Sequence, residues 1–166
     1  GQYDGKHSEV VIPAAANSCA RSGKARALDR PAEQANLRRM TLDDYRLLGR
    51  SGLRVSPLTL GAMTFRVGQT AGWGSTDEEA AALVDLYVDR GGNFIDTANV
   101  YTKGHSEKIL GDHIGRHPAK RDRVVLATKF FGNMYSGDPN GGGASRKSIH
   151  AACEQSLRRL QTDYID

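Results

Sequence analysis

Short apolar runs that alternate with segments of helical periodicity constrain the fold of this chain more than any other feature of it. Asn93-Phe94-Ile95-Asp96-Thr97 and Val124-Val125-Leu126-Ala127-Thr128-Lys129 carry apolar residues on successive positions, as strands covered on both faces must. Leu58-Thr59-Leu60-Gly61 is a third such candidate. Each is followed by a stretch that repeats its apolar residues every three or four positions, the spacing of an amphipathic helix. Parallel strands need a crossover connection, and a helix in every gap supplies one, so the order strand, helix, strand, helix predicts a parallel α/β fold.

The helical segments carry their own start and stop signals. Ser75 and Thr76 each stand three residues before a glutamate, Glu78 and Glu79, which is the capping-box spacing. Ala80, Leu83, Val84, Tyr87 and Val88 then recur at helical spacing until Gly91-Gly92, where glycine ends the run. Ser106 should cap a helix through Ile109, Leu110 and Ile114 that stops by Pro118, and Ser145 should open one with Ile149, Ala152, Cys153, Leu157 and Leu160 on one side. Tyr164-Ile165-Asp166 should begin a fourth strand. Ahead of these units, Tyr45 to Leu48 and Leu53 to Val55 flank turn residues Gly49 to Gly52 and predict a hairpin that Pro57 ends.

Two parallel architectures satisfy this order, and the glycines separate them. A doubly wound dinucleotide-binding sheet carries G-x-G-x-x-G between its first strand and helix, and nothing after Leu60 has that spacing before a helix. No G-x-x-x-x-G-K-[ST] occurs either. A (β/α)8 TIM barrel remains, of which this chain would supply a capping hairpin and about the first four βα units, since a whole barrel needs about 250 residues.

Composition narrows the function classes. With 39% apolar and 25% charged residues over 166 positions, the chain reads as one soluble domain. No stretch reaches the roughly 18 apolar residues of a spanning helix, so no membrane insertion is expected. Cys19 and Cys153 form no metal-binding pair or disulfide framework, which suits a reducing, cytoplasmic compartment. The formal charge of +4 is uneven: residues 1–39 hold seven Lys/Arg against four Asp/Glu, and residues 40–166 hold sixteen against fifteen. A nearly neutral main segment with interspersed charge does not predict nucleic-acid binding. Residues 1–39 lack any sustained period and are expected to be a disordered or foreign extension, with Met40 as the natural start of the patterned segment 40–166.

Reactive groups of parallel α/β folds gather at the carboxyl ends of strands. Asp96 closes one apolar run, Lys129 closes the next, and Tyr101 lies five residues beyond Asp96. Opposite charges at neighbouring strand ends can pair and keep each other ionised. A lysine beside a tyrosine also favours the phenolate, lowering the phenol from its ordinary pKa of about 10 and suiting it to proton donation near neutral pH. Spacing alone equally allows an ion pair that closes the sheet, with a packing tyrosine.

The motifs Leu48-Gly49-Arg50-Ser51-Gly52-Leu53-Arg54-Val55-Ser56, Leu60-Gly61-Ala62-Met63-Thr64-Phe65, Phe94-Ile95-Asp96-Thr97-Ala98-Asn99-Val100-Tyr101, Ser106-Glu107-Lys108-Ile109-Leu110-Gly111 and Ala127-Thr128-Lys129 strongly resemble the aldo-keto reductases. Ser145-Arg146-Lys147, Ser156 to Leu160 and Asp163 to Asp166 continue the match in the family's order. The resemblance implies a (β/α)8 barrel and NADPH-linked reduction of aldehydes or ketones. It makes Tyr101 the general acid, Lys129 the residue that tunes it, and Asp96 the carboxylate that pairs with the lysine and borders the nicotinamide ribose. Gly61, Met63 and Thr64 match the loop beside the cofactor, NADPH or NADP. The family's histidine, expected a few residues past Asp166, and its clamp for the adenosine 2′-phosphate would lie in an absent half. This chain alone should therefore be inactive and should self-associate through exposed barrel edges. Potassium-channel β subunits resemble the same family and share the Ser145-Arg146-Lys147 and Leu160-Gln161 patterns, which leaves a non-catalytic channel-binding subunit as the alternative.

Other candidates carry less. His113 and His117 are four apart without a third ligand nearby, so helix-end cations are favoured over a metal site. Gly141-Gly142-Gly143 before a helix could cradle a phosphate but reads first as a flexible loop. Trp73, Phe130, Phe131 and Tyr135 fall in loops at the expected mouth, where they would line an apolar substrate pocket.

Overall fold

The computed structural model describes residues 40–66 and 74–166. The expectations for residues 1–39, and for Trp73 and most of the glycine-rich loop around it, lie outside the described residues. β1 (Arg46–Leu47) and β2 (Arg54–Val55) form an antiparallel hairpin. β3 (Leu60–Gly61), β4 (Phe94–Asp96) and β5 (Val125–Ala127) form a parallel sheet in that order, with Gly61 opposite Asp96 and Asp96 opposite Ala127. The helices are α1 (Asp77–Asp89), α2 (His105–Leu110), α3 (Pro118–Arg121) and α4 (Arg146–Leu160).

The core lies between the sheet and the helices. Ile95 and Leu126 from the strands, Ala80 and Val84 from α1, Leu110 from α2, Ile114 beyond it and Leu160 from α4 are buried together. Burial of each such side chain contributes about 1.5–3 kcal/mol. α1 begins as expected: the Thr76 hydroxyl accepts from Glu79 N–H, and the Glu79 carboxylate accepts from Thr76 N–H. Its buried stripe is narrower than the periodicity predicts, because Leu83 remains exposed while Tyr87 turns its phenol inward to donate to the Leu58 carbonyl. Asn93 joins the hairpin to the start of β4, accepting from Ser56 N–H and donating to the Arg54 carbonyl.

Three expectations about element ends need correction. Ser106 does not cap a helix: the left-handed Gly104 precedes α2, and the buried Ser106 hydroxyl donates instead to the Ala62 carbonyl. The segment to Pro118 is not one helix, for α2 passes at Gly111–Gly115 into a wider π-type turn, and Pro118 starts α3. Glycine at these two positions lets α4 come close. A Cβ on Gly111 would lie 2.2 Å from the Arg159 carbonyl oxygen, and one on Gly115 would lie 1.7 Å from that of Leu160. Third, Tyr164–Asp166 forms no strand among the described residues. Asp166 N–H donates to the Leu126 carbonyl, but the Leu126 N–H is taken by the Asp166 carboxylate, where a ladder would offer a carbonyl.

α4 turns inward only part of the face its apolar spacing suggests, for Ala152 and Leu157 are half-buried. Ser148, Ser156 and Leu160 are buried, whereas Ile149 and Cys153 are exposed. The helix is anchored by polar groups: the Ser145 hydroxyl accepts from Ser148 N–H at its start, and Arg159 reaches across to α2.

Candidate active site

Parallel register brings the loops after the three strands to one edge of the sheet, and backbone hydrogen bonds extend the pairing beyond the strands themselves. Ala62 N–H donates to the Asp96 carbonyl at 2.8 Å, Thr97 N–H to that of Ala127 at 2.9 Å, and Asn99 N–H to that of Lys129 at 3.0 Å. Asp96 therefore stands between Gly61 and Ala127, two residues before Lys129. Tyr101 returns to the same edge because the chain folds into a 3-10 turn over Tyr101–Gly104.

Lys129 is the hub of what results. Its ammonium donates to Asp96 Oδ2 at 2.6 Å, to the Thr97 carbonyl at 2.9 Å and to the Tyr101 phenol oxygen at 3.4 Å. An ammonium has three protons, and these partners account for all of them. Burial works to lower the Lys129 pKa, but the hydrogen bonds and opposite charge of Asp96, with Tyr101 adding to them, outweigh it and hold the group above the ordinary lysine value. The group is thus a fixed cation. The lysine side chain is half exposed and Asp96 is 36% exposed, so the cluster is open to a ligand.

The remaining candidates take their places around this cluster unevenly. Gly61 ends β3 beside Asp96, and Met63 and Thr64 follow in an exposed turn. A side chain added at Gly61 would meet nothing within 4 Å, and Asp96 Oδ1 takes no partner among the described residues. An open backbone surface beside a carboxylate with a spare acceptor fits a sugar hydroxyl and a flat ring lying along the sheet edge. Phe130 is partly exposed at the end of β5, and Phe131 and Tyr135 are more so. A groove of about 990 Å³ is lined by Gly115, Arg121, Leu157 and Tyr164, and by none of these rings.

Two secondary candidates resolve as structure. His113 binds Asp85 at 2.7 Å, beside Lys120, and no group of three metal-ligating side chains occurs among the described residues. Gly141–Gly143 belong to a packed loop rather than a flexible one: a Cβ on Gly142 would lie 2.7 Å from the Asn133 backbone, and Gly143 N–H donates to the Phe131 carbonyl. The N–H groups of Gly141 and Gly143 are turned to the loop's own chain.

The structure adds a polar group that spacing did not single out. Glu107 is wholly buried, accepts from the Thr128 hydroxyl at 2.6 Å, and is paired at 2.6 Å with Arg159, itself 13% exposed. Ser106 and Thr97 bridge their hydroxyls beside it at 2.9 Å. A signal for Glu107 existed, since it lies three and seven residues before the buried Leu110 and Ile114, on the face of the segment that turns inward.

Comparisons with known proteins identify the family. The Aldo/keto reductase family model matches residues 57–166. An aryl-alcohol dehydrogenase from Pestalotiopsis microspora is 42% identical over 131 residues, 75% of this chain and 34% of that protein. Norsolorinic acid reductase B from Aspergillus parasiticus is 42% identical over 132 residues, again 75% of this chain and 34% of that protein. The holo form of an aldo-keto reductase from Bacillus halodurans superposes with a TM-score of 0.60 at 34% identity, covering 74% of this chain and 38% of that one. The chain thus spans about a third of the length of these curated relatives. From the match over residues 57–166 and the strand-end cluster it contains, the chain belongs to the aldo/keto reductase family.

Proposed function

We propose that this chain is the N-terminal part of an NADPH-dependent reductase of aldehydes and ketones, with its hairpin and sheet forming the first units of a (β/α)8 barrel. The observation that supports this reading is the arrangement at Lys129. By donating to the phenol oxygen of Tyr101, the ammonium leaves the phenol's own proton available to a carbonyl oxygen. Its positive charge then stabilises the negative charge that grows on the phenol as that proton leaves. Asp96 balances the ammonium and keeps it at the strand ends. NADPH, when bound, supplies hydride to the carbonyl carbon. Gly61, Met63 and Thr64 would flank it, and Asp96 would accept from its ribose.

The loop aromatics and the relatives support a substrate class. Phe130, Phe131 and Tyr135 offer exposed rings after β5, and one relative is named for aryl alcohols. Aromatic aldehydes are therefore the proposed substrates. No helix among the described residues is long and apolar enough to cross a membrane. The test follows NADPH absorbance with nitrobenzaldehyde in the full-length protein. Tyr101→Phe should abolish turnover while NADPH binding stays nearly unchanged, because the phenol acts in the transition state. Robust turnover by Tyr101→Phe would overturn the assignment. The 166-residue chain by itself should show no turnover.

A further inference from the structure

The separation of Lys129 from Tyr101 depends on how the loop after β4 is held against the segment leaving β5. Besides the Lys129 ammonium, one residue makes three hydrogen bonds across that connection. Asn99 lies between Asp96 and Tyr101 and is 2% exposed. Its backbone N–H donates to the Lys129 carbonyl at 3.0 Å. Its side-chain amide donates to the carbonyls of Phe130 and Gly132, each at 3.3 Å. Three of the four carbonyls from Lys129 to Gly132 therefore converge on one asparagine.

The side chain is placed for its donors. An amide Nδ2 has two protons, one for each carbonyl, while Asn99 Oδ1 is buried without a hydrogen-bond partner among the described residues. Leaving an amide oxygen buried and unpaired is unfavourable, a cost that an apolar side chain of similar size would avoid. The opposite orientation of the amide would set its oxygen against two carbonyl oxygens and lose both bonds. On the other side of the same loop, Gly132 lies so close to Val100 that a Cβ would fall 1.9 Å from Val100 Cγ1. The two segments are thus held at a fixed distance by Asn99 and by the lack of a side chain at Gly132.

We infer that Asn99 is a positioning residue for the reaction: it clamps the Lys129–Gly132 segment to the Tyr101 loop and so sets the contact between ammonium and phenol. The inference rests on the proposed function and adds a residue that touches neither substrate nor reacting atoms. Asn99→Asp keeps the shape, removes both donors and sets a carboxylate against two carbonyls. Gly132→Ala forces the same segments apart from the opposite side.

The experiment uses the full-length protein. Single-turnover reduction of nitrobenzaldehyde is measured together with NADPH-binding stoichiometry from fluorescence titration, so that rates are expressed per competent site. A shift of about 1 Å can cost about 100-fold, so Asn99→Asp and Gly132→Ala should each lower the rate per site at least about tenfold, with full stoichiometry and an almost unchanged KM. On a Lys129→Met background, where the contact is already gone, Asn99→Asp should change the rate less than about twofold. A purely structural role would lower stoichiometry and rate together and leave the rate per site intact, and that result overturns the inference. Full additivity with Lys129→Met, or loss of a cooperative melt in both single variants, overturns it too. If Tyr101→Phe is inactive while Asn99→Asp is normal per site, only the inference falls; if Tyr101→Phe is active, the proposed function falls first.

Discussion

Breaking the buried pair between Glu107 and Arg159 should destabilise the protein strongly, and removing its second charge should restore part of what the first removal costs. Glu107 is fully buried and its two oxygens are taken by Thr128 and Arg159. Arg159→Met leaves that carboxylate with one neutral partner, which costs about 3–5 kcal/mol. At an m-value near 2 kcal/mol/M, a loss of about 4 kcal/mol lowers the urea midpoint by about 2 M. Adding Glu107→Gln removes the stranded charge while an amide oxygen still accepts from Thr128. The double variant should therefore be more stable than Arg159→Met alone by at least about 2 kcal/mol. Urea melts of the parent, both single variants and the double variant, followed by circular dichroism, measure this directly. A double variant no more stable than Arg159→Met would refute the reasoning, because the loss would then come from packing of the arginine stem.

Gly115→Ala should cost at least about 1–3 kcal/mol, since its methyl would overlap the Leu160 carbonyl oxygen, and thermal melting against an Ala→Gly control elsewhere on the surface checks it. The Lys129 pair carries a signed pH dependence. Because the folded pKa lies above 10.5, its contribution is complete below that value and is lost as pH rises through the folded pKa, so Lys129→Met should flatten the fall in stability measured between pH 9 and 11.5. Asp85 runs the other way: burial alone would raise it, but His113 and Lys120 bring it below 3.8. Its contribution is present above 3.8 and lost as pH falls through the lowered value, so Asp85→Asn should make melts at acidic pH less pH-sensitive. Finally, β3 and β5 are the edges of the parallel sheet, and the 166-residue chain should self-associate through them. A monodisperse, exchange-protected monomer in light scattering and hydrogen exchange would contradict that.

The legible parts of this molecule are those in which one residue type at one spacing has one local meaning. The Thr76–Glu79 box, the apolar core of β4 and β5, and the charges at Asp96 and Lys129 all follow from sequence because their partners lie within a turn or at matching strand ends. Positions set by distant neighbours were not legible. Ser106 looks like a helix cap, yet its hydroxyl goes to Ala62 at the end of β3. The face of α4 is legible only in part: apolar spacing finds the buried Leu160 but also favours the exposed Ile149 and Cys153, whereas Arg159 and the two serines complete the docked side. Nothing in the local spacing marks Gly111 and Gly115 until the backbone of Arg159 and Leu160 is placed against them.

That glycine contact also bears on the order of assembly. It joins the segment after α2 to the last turn of α4 through backbone alone, across a stretch that includes α3, β5 and the packed loop before α4. Contacts of such long sequence separation carry a loop-closure cost until the intervening chain is ordered. The glycine contact is therefore expected to form late in folding, so that its loss should be felt in the unfolding rate more than in the folding rate. A methyl group at Gly115 would shorten the lifetime of the native state while leaving the speed of its formation largely intact.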